Sequence, residues 1–164
     1  MIKPSECPRP HGLIECEKVL DIGAGLRPMG WYKPKRHTCI EPYWPYAGYL
    51  MQAGYDTIWS DALTALQRIR AREYDAIYVL DVLEHLPRLA GRELLKMVYH
   101  LQPKQIVVFT PYGFMPQKGD AWGLGGDEWQ EHRSGWMPRD FPGWEIQMSE
   151  PPLHASFLAT WTRK

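Results

Sequence analysis

Val19-Leu20-Asp21-Ile22-Gly23-Ala24-Gly25 decides the fold of this chain. The run reads as a buried strand, an acid near its carboxyl end, and then a glycine turn. Twenty residues past Asp21, a second apolar stretch ends in another acid, Cys39-Ile40-Glu41-Pro42. On a parallel α/β sheet this pairing describes a nucleoside-binding crevice. The turn lets backbone approach the ligand, and the second acid accepts from a ribose diol. A dinucleotide fingerprint would need a third glycine at position 28, where this chain has Pro28. Pro28, Gly30 and Pro34 also leave little room for a regular helix over 26–36, the helix whose N-terminus would hold a pyrophosphate. The turn suits a nucleoside without a diphosphate.

Working outward, strands are expected at 18–22, 37–41, 55–60, 74–80 and 105–110, with two more near 144–148 and 156–162 separated by Pro151-Pro152. A short helix is expected from Pro45 to Gly54. A second, over 62–71, would show Leu63, Leu66 and Ile69 on one face. A third, over 88–101, carries Ala90, Leu94, Met97, Val98 and Leu101 at a 3.6-residue period until Pro103. Residues 1–17 read as an extended lead-in. This alternation predicts a doubly wound, Rossmann-like α/β fold in three layers, α/β/α. Its sheet is seven-stranded and mostly parallel, with an antiparallel C-terminal strand.

At 164 residues the chain fits a single domain, 1–164, that buries about 70% of its unfolded surface. Nineteen Lys and Arg balance nineteen Asp and Glu, so no electrostatic footprint for nucleic acid or an acidic membrane is present. Three cysteines without metal-ligand spacing suit a reduced, cytoplasmic protein. No apolar run approaches the ~20 residues of a membrane span. Met1-Ile2-Lys3-Pro4 does not open a signal peptide. Five of the eight tryptophans fall between Trp122 and Trp161, which sets off an irregular aromatic last third and leaves room for a homodimer.

Four acids each follow an apolar strand: Asp21, Glu41, Asp61 and Asp81, the last within Leu80-Asp81-Val82-Leu83-Glu84-His85-Leu86. Over about 18–110 this pattern resembles class I S-adenosylmethionine-dependent methyltransferases. The resemblance implies that Asp21 helps hold the methionine amino group, and that Ile22, Gly23, Ala24 and Gly25 lie against methionine and ribose. It gives Glu41, beside Pro42, both ribose hydroxyls. Asp61 takes the adenine amine with Ala62 packing nearby, and Leu80 and Asp81 face the methionine part. Alternatives stand beside these. Asp61 also suits a helix N-cap, Glu41 a surface position, and Asp81 and Glu84 the start of a helix. Asp81-x-x-Glu84-His85 is similar to a stretch of ubiquinone-pathway O-methyltransferases that has been linked to a divalent metal. Here the first acid is the shorter aspartate, so no metal is expected and His85 is placed on the substrate side.

The segment 111–140 is expected to form the acceptor side as a lid. In Asp127-Glu128-Trp129-Gln130-Glu131-His132-Arg133-Ser134-Gly135-Trp136, the indoles of Trp129 and Trp136 would wall an apolar pocket. His132 and Arg133 would add convergent polar groups, and Tyr112 would join them. A neutral His132 suits a general base for an attacking hydroxyl. Thr110-Pro111-Tyr112-Gly113 is misplaced for the Asn-Pro-Pro-Tyr motif of nucleobase amino-methyltransferases, because it follows the fifth strand and not the fourth. The expectation is methyl transfer from S-adenosylmethionine to a small-molecule acceptor, at oxygen, leaving S-adenosylhomocysteine. The alternatives are another transferase or a lyase using the same cofactor, and a non-catalytic binding module.

Overall fold

A computed structural model describes residues 6–149 and 155–164 of the chain. Met1 to Pro4, and Pro151-Pro152 between the last two strands, lie outside the described residues. Seven strands form one sheet: β1 (Lys18–Ile22), β2 (Arg36–Glu41), β3 (Asp56–Trp59), β4 (Ala76–Leu80), β5 (Gln105–Pro111), β6 (Glu145–Met148) and β7 (Ser156–Thr162). Their order is β3-β2-β1-β4-β5-β7-β6. β1 to β5 run parallel, and β7 enters antiparallel between β5 and β6. Chain order reverses between β1 and β4, so the crevice of such a sheet opens past the carboxyl ends of those strands.

Every residue of β4 and β5 is buried, as their near-continuous apolar sequence requires when both faces are covered. Ile22, Ile40, Val79, Val108 and Ala159 point to one face, against α2 (Ala62–Leu66) and α3 (Arg88–His100). α3 presents Gly91, Leu94 and Val98 to this core, following the period of its sequence. The opposite face carries Val19, Tyr78, Val107 and Leu158, covered by Cys7, Cys16, Met29, Trp31 and Tyr32 from irregular chain. Beside them α1 (Trp44–Gln52) sets Leu50 on Cys39. Half of that layer is therefore loop rather than helix, as Pro28, Gly30 and Pro34 dictate.

One element is shorter than its sequence suggests. α2 ends at Leu66 instead of running to residue 71. Arg68 and Ile69 donate their N–H groups three residues back, to Ala65 and Leu66, so the last turn tightens out of α geometry. Within 111–140 there is only the single turn α4 (Asp127–Gln130) and a 3₁₀ turn, Pro138–Asp140.

Candidate active site

A cavity of about 470 Å³ lies past the carboxyl ends of β1, β2 and β4, within the size range of small-molecule sites. Ile22, Gly23, Ala24 and Gly25 line one wall. Gly23 and Gly25 hold φ of 64° and 54°, a region glycine enters without strain. A Cβ on Gly23 would stand 2.7 Å from Val82 Cγ2, and one on Gly25 would stand 2.5 Å from the Trp122 ring. The turn is pinned to β2 because Gly23 N–H donates to the Ile40 carbonyl at 2.8 Å.

Glu41 lies beside this turn and is 3% exposed. Its Oε2 accepts from Gly25 N–H at 2.8 Å and its Oε1 from Tyr43 N–H at 3.0 Å. Each oxygen keeps a second lone pair free for a ligand hydroxyl. Burial pushes the carboxyl up to about 7, against the pull of those two N–H groups. Pro42, Asp61 and Ala62 continue the wall. Asp61 caps α2 through Thr64 N–H at 3.0 Å, and bonding to Thr64 holds its carboxyl below the ordinary value. The cap role and a place on the cavity coexist in Asp61.

Leu80 and Asp81 form the end of the crevice nearest β4. Asp81 holds φ of 52°, unusual for a residue with a side chain, and its N–H is tied to the Phe109 carbonyl at 2.9 Å. Glu84 follows on the 3₁₀ turn Leu83–His85, 2% exposed, its Oε2 accepting from Thr110 Oγ1 at 3.0 Å. Both carboxyls are raised, above all by burial, and for Glu84 also by the charge of Asp81 beside it.

A further wall of the cavity is built from 115–133. His132 is 8% exposed, and its Nδ1 lies 2.6 Å from the Met115 carbonyl. A carbonyl only accepts, so Nδ1 carries the proton and Nε2 keeps its lone pair. His85 lies edge-on to it at 4.8 Å between ring centroids, with its own Nδ1 3.4 Å from the Glu131 carbonyl. Burial lowers both imidazoles. His85, also facing His132, falls to about 4. Trp129 and Arg133 complete this side. The segment is stapled to β4's end, since Arg133 and Ser134 N–H groups both donate to the Glu84 carbonyl, at 2.6 and 3.0 Å.

Three expected residues stand elsewhere. Asp21 is buried and does not border the cavity. Its Oδ2 accepts from Met29 N–H at 2.6 Å and meets His37 Nε2 at 3.1 Å, bracing the loop after β1. Trp136 is 1% exposed and belongs to the core. Its ring packs on Gly91 of α3 beneath the Arg88 guanidinium, and its Nε1 donates to Ser134 Oγ at 2.9 Å. Tyr112 is exposed and bridges to Trp136, away from the cavity. The bridge that turns Trp136 inward turns Tyr112 out. Conversely, Arg27, Tyr46, Met115, Gln117 and Trp122 line the cavity without having been singled out. Arg27 alone had a local signal, directly after the glycine turn.

Among solved structures, the magnesium protoporphyrin IX methyltransferase of Synechocystis PCC 6803, solved with bound SAM, aligns at a TM-score of 0.60 and 15% identity, over 90% of this chain and 70% of its own. A SAM-dependent methyltransferase from Archaeoglobus fulgidus aligns at 0.61 and 13% identity, over 90% of this chain and 86% of its own. The N-methyltransferase NodS of Bradyrhizobium japonicum WM9 aligns at 0.56 and 18%, over 90% and 85%.

This is the class I methyltransferase fold.

No family model and no curated protein matches the sequence. The likeness therefore rests on backbone architecture alone. Among the described residues no helix is long and apolar enough to cross a membrane.

Proposed function

We propose that this protein is a methyltransferase that takes its methyl group from S-adenosylmethionine and delivers it to an oxygen of a small-molecule acceptor. One observation carries the reading. A single cavity joins a buried, doubly N–H-bonded Glu41 and a Cβ-free glycine turn to an imidazole wall across from them. The residues fit the cofactor. Glu41 has two lone pairs for the ribose diol, Asp61 and Ala62 stand where the nucleobase would lie, and Leu80 and Asp81 face the methionine part. The amino-group role expected of Asp21 passes to Asp81, because Asp81 borders the cavity and Asp21 does not.

When bound, S-adenosylmethionine supplies a methyl group already activated by its sulfonium. The protein's work is to align the acceptor and keep water out. Trp122, resting on Gly25, and Trp129 and Met115 supply apolar wall for this. His132, fixed by Met115, presents Nε2 as the position that takes a hydroxyl proton. The plantazolicin methyltransferase BamL, which aligns at a TM-score of 0.54, was solved in complex with a triazolic desmethylPZN analog and SAH. Calorimetric titration with S-adenosylhomocysteine tests the reading: heat of one-to-one binding is expected, and its absence sinks it. A product heavier than the acceptor by a group other than methyl would move the protein to another transferase class.

A further inference from the structure

We infer that the Tyr46 hydroxyl is a specificity-determining donor, which reads a ribose hydroxyl of the ligand alongside Glu41. Tyr46 Oη is the one buried side-chain nitrogen or oxygen among the described residues that has no hydrogen-bond partner. The residue is 1% exposed, yet it lines the cavity. A buried hydroxyl left unpaired destabilises the fold, and a ligand atom accepting from it removes that penalty.

The local fold brings Tyr46 to Glu41 by two routes. Tyr46 lies in the first turn of α1, three residues after Tyr43, whose N–H donates to Glu41 Oε1. Its ring meets Tyr43 at 4.8 Å and Trp122 at 4.9 Å between centroids, edge-on in both cases. Trp122 in turn covers Gly25, whose N–H donates to Glu41 Oε2. Burial, together with the charges of Asp120 and Glu41, pushes the phenol above its ordinary value. The O–H therefore keeps its proton across the neutral range and can donate. Asp120 is the rival acceptor, on the lid. Its Oδ1 is occupied by Trp122 N–H at 2.8 Å and its Oδ2 by Leu124 and Gly126 N–H at 2.7 and 3.1 Å. Neither oxygen is hydrogen-bonded to Tyr46. A Cβ on Gly126 would collide with the hydroxyl, so glycine backbone lets the lid close over it.

The donor completes what a carboxylate lacks. Each hydroxyl of a diol both donates and accepts, whereas ionised Glu41 only accepts. Glu41 can take the diol protons but offers nothing to the diol oxygens, and the Gly25 and Tyr43 N–H groups are spent on Glu41 itself. Tyr46 supplies the missing O–H. A site that pairs a donor with an acceptor rejects a deoxy analogue, because the analogue leaves buried polar groups unpaired. This inference rests on the proposed function, which takes the ligand at Glu41 to be the ribose of S-adenosylmethionine.

Calorimetry on the wild type and Tyr46→Phe, with S-adenosylhomocysteine and its 2′-deoxy and 3′-deoxy analogues, tests it. The variant is expected to raise the dissociation constant for S-adenosylhomocysteine about 2- to 13-fold, the worth of one neutral hydrogen bond. With one of the two deoxy analogues, variant and wild type are expected to bind alike. Without ligand, Tyr46→Phe is expected to melt a few degrees above the wild type, since it removes an unpaired hydroxyl and keeps the ring. Tyr49→Phe, on the exposed face of α1, is expected to change none of these. Unchanged affinity in Tyr46→Phe, or an equal loss with both deoxy analogues, overturns the inference. A ligand-free variant that melts below the wild type also overturns it, by giving the hydroxyl a partner within the protein. No binding of S-adenosylhomocysteine by the wild type refutes the cofactor reading and this inference with it. Wild-type binding that Tyr46→Phe leaves unchanged refutes this inference alone.

Discussion

Glu41→Gln removes a charge at constant shape where the cofactor reading is most exposed to refutation. The carboxylate now accepts from Gly25 N–H on one oxygen and Tyr43 N–H on the other. An amide accepts on one side only and turns an NH₂ toward the other N–H, so it cannot also accept from both ribose hydroxyls. One charge-assisted hydrogen bond is worth about 1.5–3 kcal/mol. The dissociation constant for S-adenosylhomocysteine should therefore rise about 10- to 150-fold. The wild type carries a second readout. With the carboxyl pushed up to about 7 by burial, most of it is protonated at pH 6. Only the ionised form offers lone pairs to both hydroxyls, so affinity should improve about tenfold from pH 6 to pH 8 and level off. The sign for stability is opposite. A folded value near 7 above the ordinary 4.5 means that the fold holds a proton which the unfolded chain has released. Stability without ligand thus falls as pH rises from 4.5 to 7, by an amount of order 3 kcal/mol, and the variant lacks that slope. Calorimetry at pH 6, 7 and 8 measures the affinities and thermal melts measure the stability. Wild-type affinity in Glu41→Gln, or a flat pH profile in the wild type, refutes the ribose assignment.

Asp61 should separate its two roles by substitution. Asp61→Asn keeps the cap on Thr64 N–H and weakens S-adenosylhomocysteine binding, while Asp61→Ala also lowers stability by about 1 kcal/mol in denaturant melts. Trp136→Ala should cost about 3–5 kcal/mol as a core truncation, with cofactor affinity of the folded fraction unchanged; loss of turnover at full stability would return Trp136 to the acceptor side. Gly91→Ala places a Cβ 2.5 Å from Trp136 Cζ2 and should destabilise by about 1–3 kcal/mol through overpacking. Trp122→Ala removes the ring that rests on Gly25 and should speed dissociation of S-adenosylhomocysteine in stopped-flow measurements, without lowering the melting temperature of the core.

The glycine-turn half of the candidate site was legible because strand ends write it into local sequence. An apolar run followed by an acid gives β1, β2, β3 and β4 together with Glu41, Asp61 and Asp81, and the parallel register carries those ends to one edge. Asp21 stands off the cavity because alternation decides which face a strand residue joins. It is registered with Cys39 and Tyr78, on the face of the 26–35 loop, so its carboxylate braces backbone. The half built from 115–133 was less legible. Trp129 and Trp136 are equal in composition, and only the bridge of Trp136 to Tyr112, with the small Gly91 beneath its ring, sends one into the core and leaves the other on the cavity. Tyr46 and Trp122 meet across 76 residues at 4.9 Å between ring centroids, a contact with no local signal.

The way the lid is fastened explains why its two ends serve different purposes. At its base, Arg133 and Ser134 N–H groups share the Glu84 carbonyl, Ser134 Oγ donates to the Leu83 carbonyl at 3.0 Å, and the Trp136 indole is locked in the core. Opening this base would strip several buried hydrogen bonds and expose an indole, at a cost of several kcal/mol. At the tip the fastening is lighter. Tyr43 Oη donates to the Leu124 carbonyl at 2.6 Å, Trp122 rests edge-on to Tyr46, and Asp120 gathers the N–H groups of Trp122, Leu124 and Gly126 within the loop itself. Those last bonds travel with the tip and do not resist its movement. Movement therefore costs least at the tip, over the Gly23–Gly25 turn, while the base keeps His132 beside His85 and Glu84.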